Sequence, residues 1–208
     1  MPAYKLTYFD IRGLGEPARQ LFHLAGVKFE DKRLPQDGSF AKIKDQYPFG
    51  QIPVLSVDGF DIPQSAAIGR YLAKKFGYAG KTPEEEAWVD AIVDQYKDFS
   101  ASLLPVFKAK YEKKSAAETE KAIKEIFTPA KDAFFKILTG LLEKSKSGFL
   151  VGAGLTWADL VVVENLVTLE KMGLFSAKDH SKLAALMKKV HSTPKLKEYI
   201  ASRPDHEY

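Results

Sequence analysis

The chain changes character between residues 77 and 83. In this stretch, GYAGKTP, two glycines and a proline fall within seven residues and mark a linker. Ahead of it, strand-like and helix-like runs alternate. Beyond it, apolar residues recur only at helical steps, and no stretch reads as a strand. A chain divided in this way is restricted to two parts. Residues 1–77 form a mixed α/β unit, residues 84–208 an all-helical unit, and 78–83 join them.

In the first part, residues 3–9 (AYKLTYF) predict a buried strand. Residues 16–26 (EPARQLFHLAG) predict a helix with Pro17 in its first turn and Gly26 as its C-cap. A second strand is expected over 27–34, then a polar loop and a short helix near 39–46. Val54, Leu55 and Val57 suit a short buried strand, Asp58-Gly59 a hairpin turn, and 60–62 the return strand. Gln64 and Ser65 then open an amphipathic run through Ala66, Ile68, Tyr71 and Leu72. The order β-α-β-α-β-β-α predicts a thioredoxin-like half, a central sheet with helices on both faces.

In the second part, Trp88, Ile92, Tyr96, Phe99, Leu103 and Val106 recur at steps of three and four. They predict one long amphipathic helix from 84 to about 111. The pattern repeats over about 117–142, with Pro129 expected to kink it. A loop follows over 144–155. Thr156-Trp157-Ala158-Asp159 matches a capping box ahead of an apolar run. Two further helices are expected over 177–191 and 194–201.

Composition narrows the chemistry. With 45% hydrophobic and 28% charged residues, the chain is globular. No apolar run approaches the roughly 20 residues of a membrane span, and MPAYKLTYFD has no signal-peptide core. There is no cysteine, which excludes disulfides, thiolate metal sites and a protein thiol nucleophile. Any thiol chemistry must use a thiol carried by the substrate. A cytoplasmic location is the expectation. The net charge of +4 is scattered among acidic residues. Its densest run, residues 108–114 (KAKYEKK), reads as a solvated helix end, so a nucleic-acid partner is not indicated. The four histidines have no metal-ligand spacing.

A few residues carry candidate chemistry, each beside a plainer reading. Pro53 precedes a strand and restrains Ile52. If the Ile52-Pro53 bond is cis, the main chain of Ile52 is left free to pair with an extended ligand; otherwise Pro53 only shapes a turn. Ser65 is a good N-cap, and the N–H groups behind it suit a carboxylate, or it only caps its helix. Tyr8 ends the first strand, where ligands of open α/β sheets collect. A phenol there can donate to an anion, or its hydroxyl is satisfied in the core. Lowering a thiol from about 8.5 to about 6.5 needs about 2.7 kcal/mol of preferential thiolate stabilisation, within reach of one charge-assisted bond plus local dipoles. Residues 13–18 (GLGEPA) mimic a dinucleotide fingerprint, but an all-helical second half does not continue a Rossmann sheet, and Glu16 would face a pyrophosphate. Asp94 and Asp98, four apart on one helix, are acid/base candidates or simply its wet face, and Lys97 argues against a metal there.

Taken together, YKLTYFDIRGLGEPAR, FGQIPVL, DIPQSAAIGRYLAKKFG, WVDAIVDQYKDF and LTWADL resemble the cytosolic glutathione transferases over essentially the whole chain. The sigma class, to which haematopoietic prostaglandin D synthase belongs, is most similar, and DIRGLGEPAR resembles its nematode, Nu-like branch. The resemblance implies a glutathione S-transferase fold and an enzyme that conjugates glutathione, its co-substrate, to hydrophobic electrophiles in xenobiotic detoxification. It implies that Tyr8 activates the glutathione sulfur, that Gln51 and Ile52 precede a cis-Pro53 with Ile52 pairing the cysteinyl backbone, that Gly50 belongs to the same glutathione site, and that Gln64 and Ser65 hold the γ-glutamyl group. Phe40, where the family usually has tryptophan, and Lys44 face the glycyl end. Asp98 reaches the glutathione of a neighbouring subunit, which implies a homodimer. No metal is implied. Leu14 stands where the prostaglandin synthase has an arginine, and Lys97 where it has a metal-binding aspartate. Leu14, Phe9, Tyr96 and Phe107 are the expected wall of the electrophile cleft. Alternative readings are a carrier of haem and lipophilic anions, a glutathione-dependent prostaglandin isomerase, and a structural protein of the crystallin kind.

Overall fold

The computed structural model describes residues 2–112 and 114–206, so Lys113 of the lysine-rich run lies outside the described residues. The first half contains β1 (Tyr4–Phe9), α1 (Glu16–Ala25), β2 (Glu30–Leu34), β3 (Val54–Val57), β4 (Phe60–Pro63) and α2 (Ser65–Phe76). The sheet order is β2-β1-β3-β4, with β1 and β2 parallel and the other neighbours antiparallel. β1 sits centrally, which is why Leu6, Thr7 and Tyr8 are buried in succession rather than alternately. The β3–β4 turn has both central residues left-handed, Asp58 at φ 51° and Gly59 at φ 86°. This is the type I′ geometry that matches the twist of a hairpin.

Two expectations in this half are corrected. The second strand begins at Glu30 rather than at residue 27. Val27 instead ends the turn after Gly26, its N–H bonded to Phe22 O. The short helix expected near 39–46 is two separate 3₁₀ turns, Ser39–Lys42 and Lys44–Gln46, followed by a third at Pro48–Gly50.

The second half is helical: α3 (Pro83–Ala101), α4 (Leu104–Tyr111), α5 (Ala116–Ala122), α6 (Thr128–Lys144), α7 (Trp157–Lys171), α8 (Ser181–His191) and α9 (Pro194–Ser202). The single helix expected over 84–111 is broken at Ser102 and Leu103, where the Ser102 hydroxyl donates to Phe99 O and Pro105 enters the next first turn. The expected kink is a one-turn π segment, Ile123–Phe127. Pro129 lies just past it, in the first turn of α6, where a missing N–H costs nothing. The eighth helix starts at Ser181, four residues late, because the N–H groups of Asp179 and His180 bond back to Ser176. Trp88, counted on the apolar stripe, is 58% exposed.

α7 is buried over most of its length and runs through the middle of the helical half, with Leu160, Val162, Leu166 and Leu169 in the core. It meets α1 and α2 of the first half directly. Its capping box forms as predicted: Asp159 accepts from the Thr156 N–H at 2.8 Å, and also from Leu150 N–H at 2.8 Å. A buried ionic lattice ties the halves beside it. Arg12 donates to Glu164 at 2.8 Å, Gln20 to Glu164 at 2.5 Å, and Arg203 to both Glu16 at 2.6 Å and Glu164 at 3.0 Å. Among the described residues no helix is long and apolar enough to cross a membrane.

Candidate functional site

The sheet register brings three of the singled-out residues to one level. The last β1–β3 pair is Thr7 with Val54, and the last β3–β4 pair is Val54 with Pro63. Tyr8, Pro53 and Gln64 are each the next residue past these pairs, at the carboxyl end of β1. This is the end at which ligands of open sheets gather.

Tyr8 is 6% exposed, and the β1–α1 turn wraps its ring. A Cβ on Gly15 would lie 2.5 Å from Tyr8 Cδ1, and one on Gly13 2.7 Å from Tyr8 Oη, so only glycines allow this approach. The wrapped turn aims the Leu14 N–H at the Tyr8 hydroxyl, 3.1 Å away. That bond fills an oxygen lone pair and leaves the hydroxyl proton for another acceptor. Burial pushes the Tyr8 pKa up, opposed by the Leu14 N–H and by the Arg19 cation. The phenol therefore stays protonated at neutral pH and can act as a donor. The glycine pattern that mimicked a dinucleotide fingerprint is a 3₁₀ turn closed on Tyr8, in a mixed sheet rather than a Rossmann one.

The Ile52-Pro53 bond is cis. Among the described residues, neither the N–H nor the C=O of Ile52 has a main-chain partner. Gln64 donates to Gln51 Oε1 at 3.1 Å, which joins the two glutamines across the strand ends. Gln64 also holds a left-handed backbone at φ 71°, the kind of strain that concentrates at ligand sites. Its position corrects one reading. Gln64, not Ser65, is the N-cap residue of α2, and it makes no side-chain cap. Ser65 is the first helical residue, so the leading N–H groups of α2 have no side-chain cap and Ser65 stands among them.

Further along the edge, the Phe9 and Phe40 rings meet at 5.4 Å and Phe40 meets Tyr47 at 5.9 Å. Lys44 lies beside Gly50: a Cβ there would be 4.0 Å from the lysine Cδ. Leu14 is 48% exposed next to the tyrosine turn. Phe107 and Tyr96 are half-buried on the helical half, and burial pushes Tyr96 up to about 12. Asp98 is not brought to this group. Like Asp94 and Lys97, it is exposed on α3, the wet-face arrangement. Among the described residues no three acidic or histidine side chains are placed to hold a metal.

Sequence reasoning missed Arg19, Gly13, Gly15 and the Leu14 N–H as parts of the tyrosine's surroundings. The glycine spacing was a signal, read for phosphate rather than for a ring.

Comparison with known proteins gives concordant matches. Residues 4–74 match the glutathione S-transferase N-terminal domain, and residues 97–203 the glutathione S-transferase C-terminal domain. The chain is 49% identical to glutathione S-transferase 1 of Ascaris suum over 210 aligned positions, covering 100% of both. A solved glutathione S-transferase of Caenorhabditis elegans is 59% identical with a TM-score of 0.90, covering 99% of this chain and 100% of that one. A glutathione S-transferase of the hookworm Necator americanus, described as monomeric, is 46% identical with a TM-score of 0.91, covering 99% and 100%.

Proposed function

The chain belongs to the glutathione S-transferase family, and we propose that Tyr8 is the group that keeps the sulfur of bound glutathione ionised while it attacks a hydrophobic electrophile. The observation that carries this is the Leu14 N–H donated to Tyr8 Oη, which commits the hydroxyl to donate its own proton outward. The glutathione thiol loses its proton to solvent, the Tyr8 hydroxyl hydrogen-bonds the thiolate, and the sulfur lone pair forms the new carbon–sulfur bond. The leaving group departs with its electron pair, or an added electrophile takes up a proton. Holding both reactants and lowering the thiol pKa supply most of the rate gain.

In this reading the unpaired main chain of Ile52, beside Gln51 and Pro53, pairs with the cysteinyl backbone as an added strand would. Gln64, Ser65 and the leading N–H groups of α2 take the γ-glutamyl carboxylate. Phe40 and Lys44 take the glycyl end, Gly50 lies beside Lys44 in the same site, and Leu14, Phe9, Tyr96 and Phe107 line the electrophile's side. Residues 1–77 are the glutathione-binding domain and 84–208 the helical domain.

The molecule acts as a homodimer, with Asp98 of each copy reaching the glutathione of the other. Two exposed apolar features support this. Phe49 projects 74% exposed from a left-handed turn at φ 58°. A groove of about 150 Å³ lined by Trp88, Ile92, Phe134, Ile137 and Leu138 opens between α3 and α6. A ring such as Phe49 of a second copy fits it in size and chemistry. Sedimentation equilibrium on the wild type and Phe49→Ser tests this: a dimer turned monomer by the change is the expected result, and a monomeric wild type contradicts it. The catalytic reading is tested by Tyr8→Phe, which should lose turnover with a halonitroarene while still binding glutathione.

A further inference from the structure

We propose that Arg19 is a positioning residue for Tyr8, an inference that rests on the Tyr8 reading and deepens it. Arg19, on α1, reaches carbonyls at the β1 end of the tyrosine turn and the Glu16 carboxylate at its α1 end. It is 0% exposed. Its Nη1 donates to Ile11 O at 2.6 Å and its Nη2 to Phe9 O at 3.2 Å, the carbonyls three residues and one residue past Tyr8. Its Nε donates to both Asp31 oxygens at 3.1 Å, and Nη1 also reaches Glu16 at 3.3 Å. The guanidinium carbon lies 5.9 Å from the centre of the Tyr8 ring.

The fork therefore performs a task a point charge cannot. Its planar donors clamp two carbonyls of the turn while β2, through Asp31, fixes the plane from the far side. The clamped turn continues through Gly13 and Gly15, which hold the ring, to the Leu14 N–H, which sets the direction of the Tyr8 proton. The two carboxylates against the guanidinium cancel most of its charge. Geometry rather than field is its main contribution, with the cation beneath the ring as a smaller aid to a phenol sharing its proton. A purely structural role, tying α1 to β2, would use the same bonds but leave the tyrosine's chemistry unaltered in molecules that fold.

The experiment compares Arg19→Lys and Arg19→Met with Tyr8→Phe and the double variant Tyr8→Phe/Arg19→Lys. It uses the full chain, glutathione and a halonitroarene. Arg19→Lys keeps the charge but loses the fork. It is expected to lower kcat/KM about 10- to 100-fold, the scale of a small misplacement of a catalytic group. It should raise the apparent thiol pKa by about one unit and leave KM for glutathione within about twofold. Because Arg19 acts through Tyr8, the double variant should fall within about twofold of Tyr8→Phe alone. Should the buried substitutions fail to fold, Asp31→Asn on the half-buried strand removes the clamp's outer anchor. It should shift the same pH profile in the same direction by a smaller amount. Lower thermal stability with an unchanged pH profile, or a further tenfold loss in the double variant, overturns the inference. If Tyr8→Phe itself leaves the profile in place, the Tyr8 reading fails first, and the result identifies that as the cause.

Discussion

Two aromatic rings in this molecule are packed against a glycine by the same means and to different ends. The Tyr8 ring closes on Gly15, where an added Cβ would lie 2.5 Å away. The Trp157 ring closes on Gly69 of α2, where the gap would be 2.7 Å. Around Tyr8 the neighbours are main-chain donors and an arginine, and the hydroxyl is engaged by Leu14 N–H. Around Trp157 they are apolar side chains of α2 and α7, with the Arg70 guanidinium 5.9 Å from the ring centre, and the indole N–H has no partner among the described residues. The first ring is held with its hydroxyl against a main-chain donor. The second is held to fill the junction of the two halves. Close packing alone does not distinguish site from core; the polar groups at the ring's tip do.

The contrast breaks first at the tip. Tyr8→Phe keeps the ring and its packing but removes the hydroxyl. Turnover should fall about 10- to 1000-fold, the range for one lost donor to a developing anion, with the thermal midpoint nearly unchanged. Gly15→Ala attacks the same ring from its packed side and should lower kcat/KM about 10- to 100-fold by tilting it. Steady-state kinetics across pH would read both.

Gly69→Ala sharpens the comparison from the other region. The extra methyl meets the Trp157 ring and should cost about 1–3 kcal/mol in chemical denaturation. Activity per folded molecule should remain within twofold. A large kinetic loss there would show that the α2–α7 junction also shapes the site.

Asp159 gives a smaller, pH-dependent effect in that same region. Burial raises its pKa to about 6, against the pull of the Leu150 and Thr156 donors. Between about pH 4 and pH 6 the folded chain keeps a proton that the unfolded chain has released. This group's contribution is therefore complete below about pH 4 and is lost as pH rises to about 6. Asp159→Asn should remove that slope. It should also cost about 1–3 kcal/mol at neutral pH, where the amide cannot accept from every donor. Denaturation midpoints of both proteins at pH 4, 6 and 8 would measure it.

Much of this was legible in the sequence. The stretch at residues 77–83 marks where strands give way to helices alone, and Asp58-Gly59 marks the hairpin. Pro53, singled out ahead of its strand, follows a cis bond, and Gln51 and Gln64, both named through the resemblance, meet at 3.1 Å. What was not legible depends on partners distant along the chain. Arg19 sits in an amphipathic helix and resembles a wet-face residue until β2 and the turn's carbonyls surround it. The break at Ser102 and Leu103 is hidden because the apolar spacing runs through it unaltered. Ser65 is the better capping residue by type, but the left-handed Gln64 places the helix boundary one residue earlier. Trp88 keeps helical spacing yet faces outward and is left exposed among the described residues.

The central claim is that the Tyr8 hydroxyl keeps the bound sulfur ionised. Thiolate absorbance of the glutathione complex, titrated with pH in the wild type and in Tyr8→Phe, tests it most directly. A wild-type midpoint well below the usual thiol value of about 8.5 is expected, and one returned close to that value in the variant. The same midpoint in both proteins would contradict it.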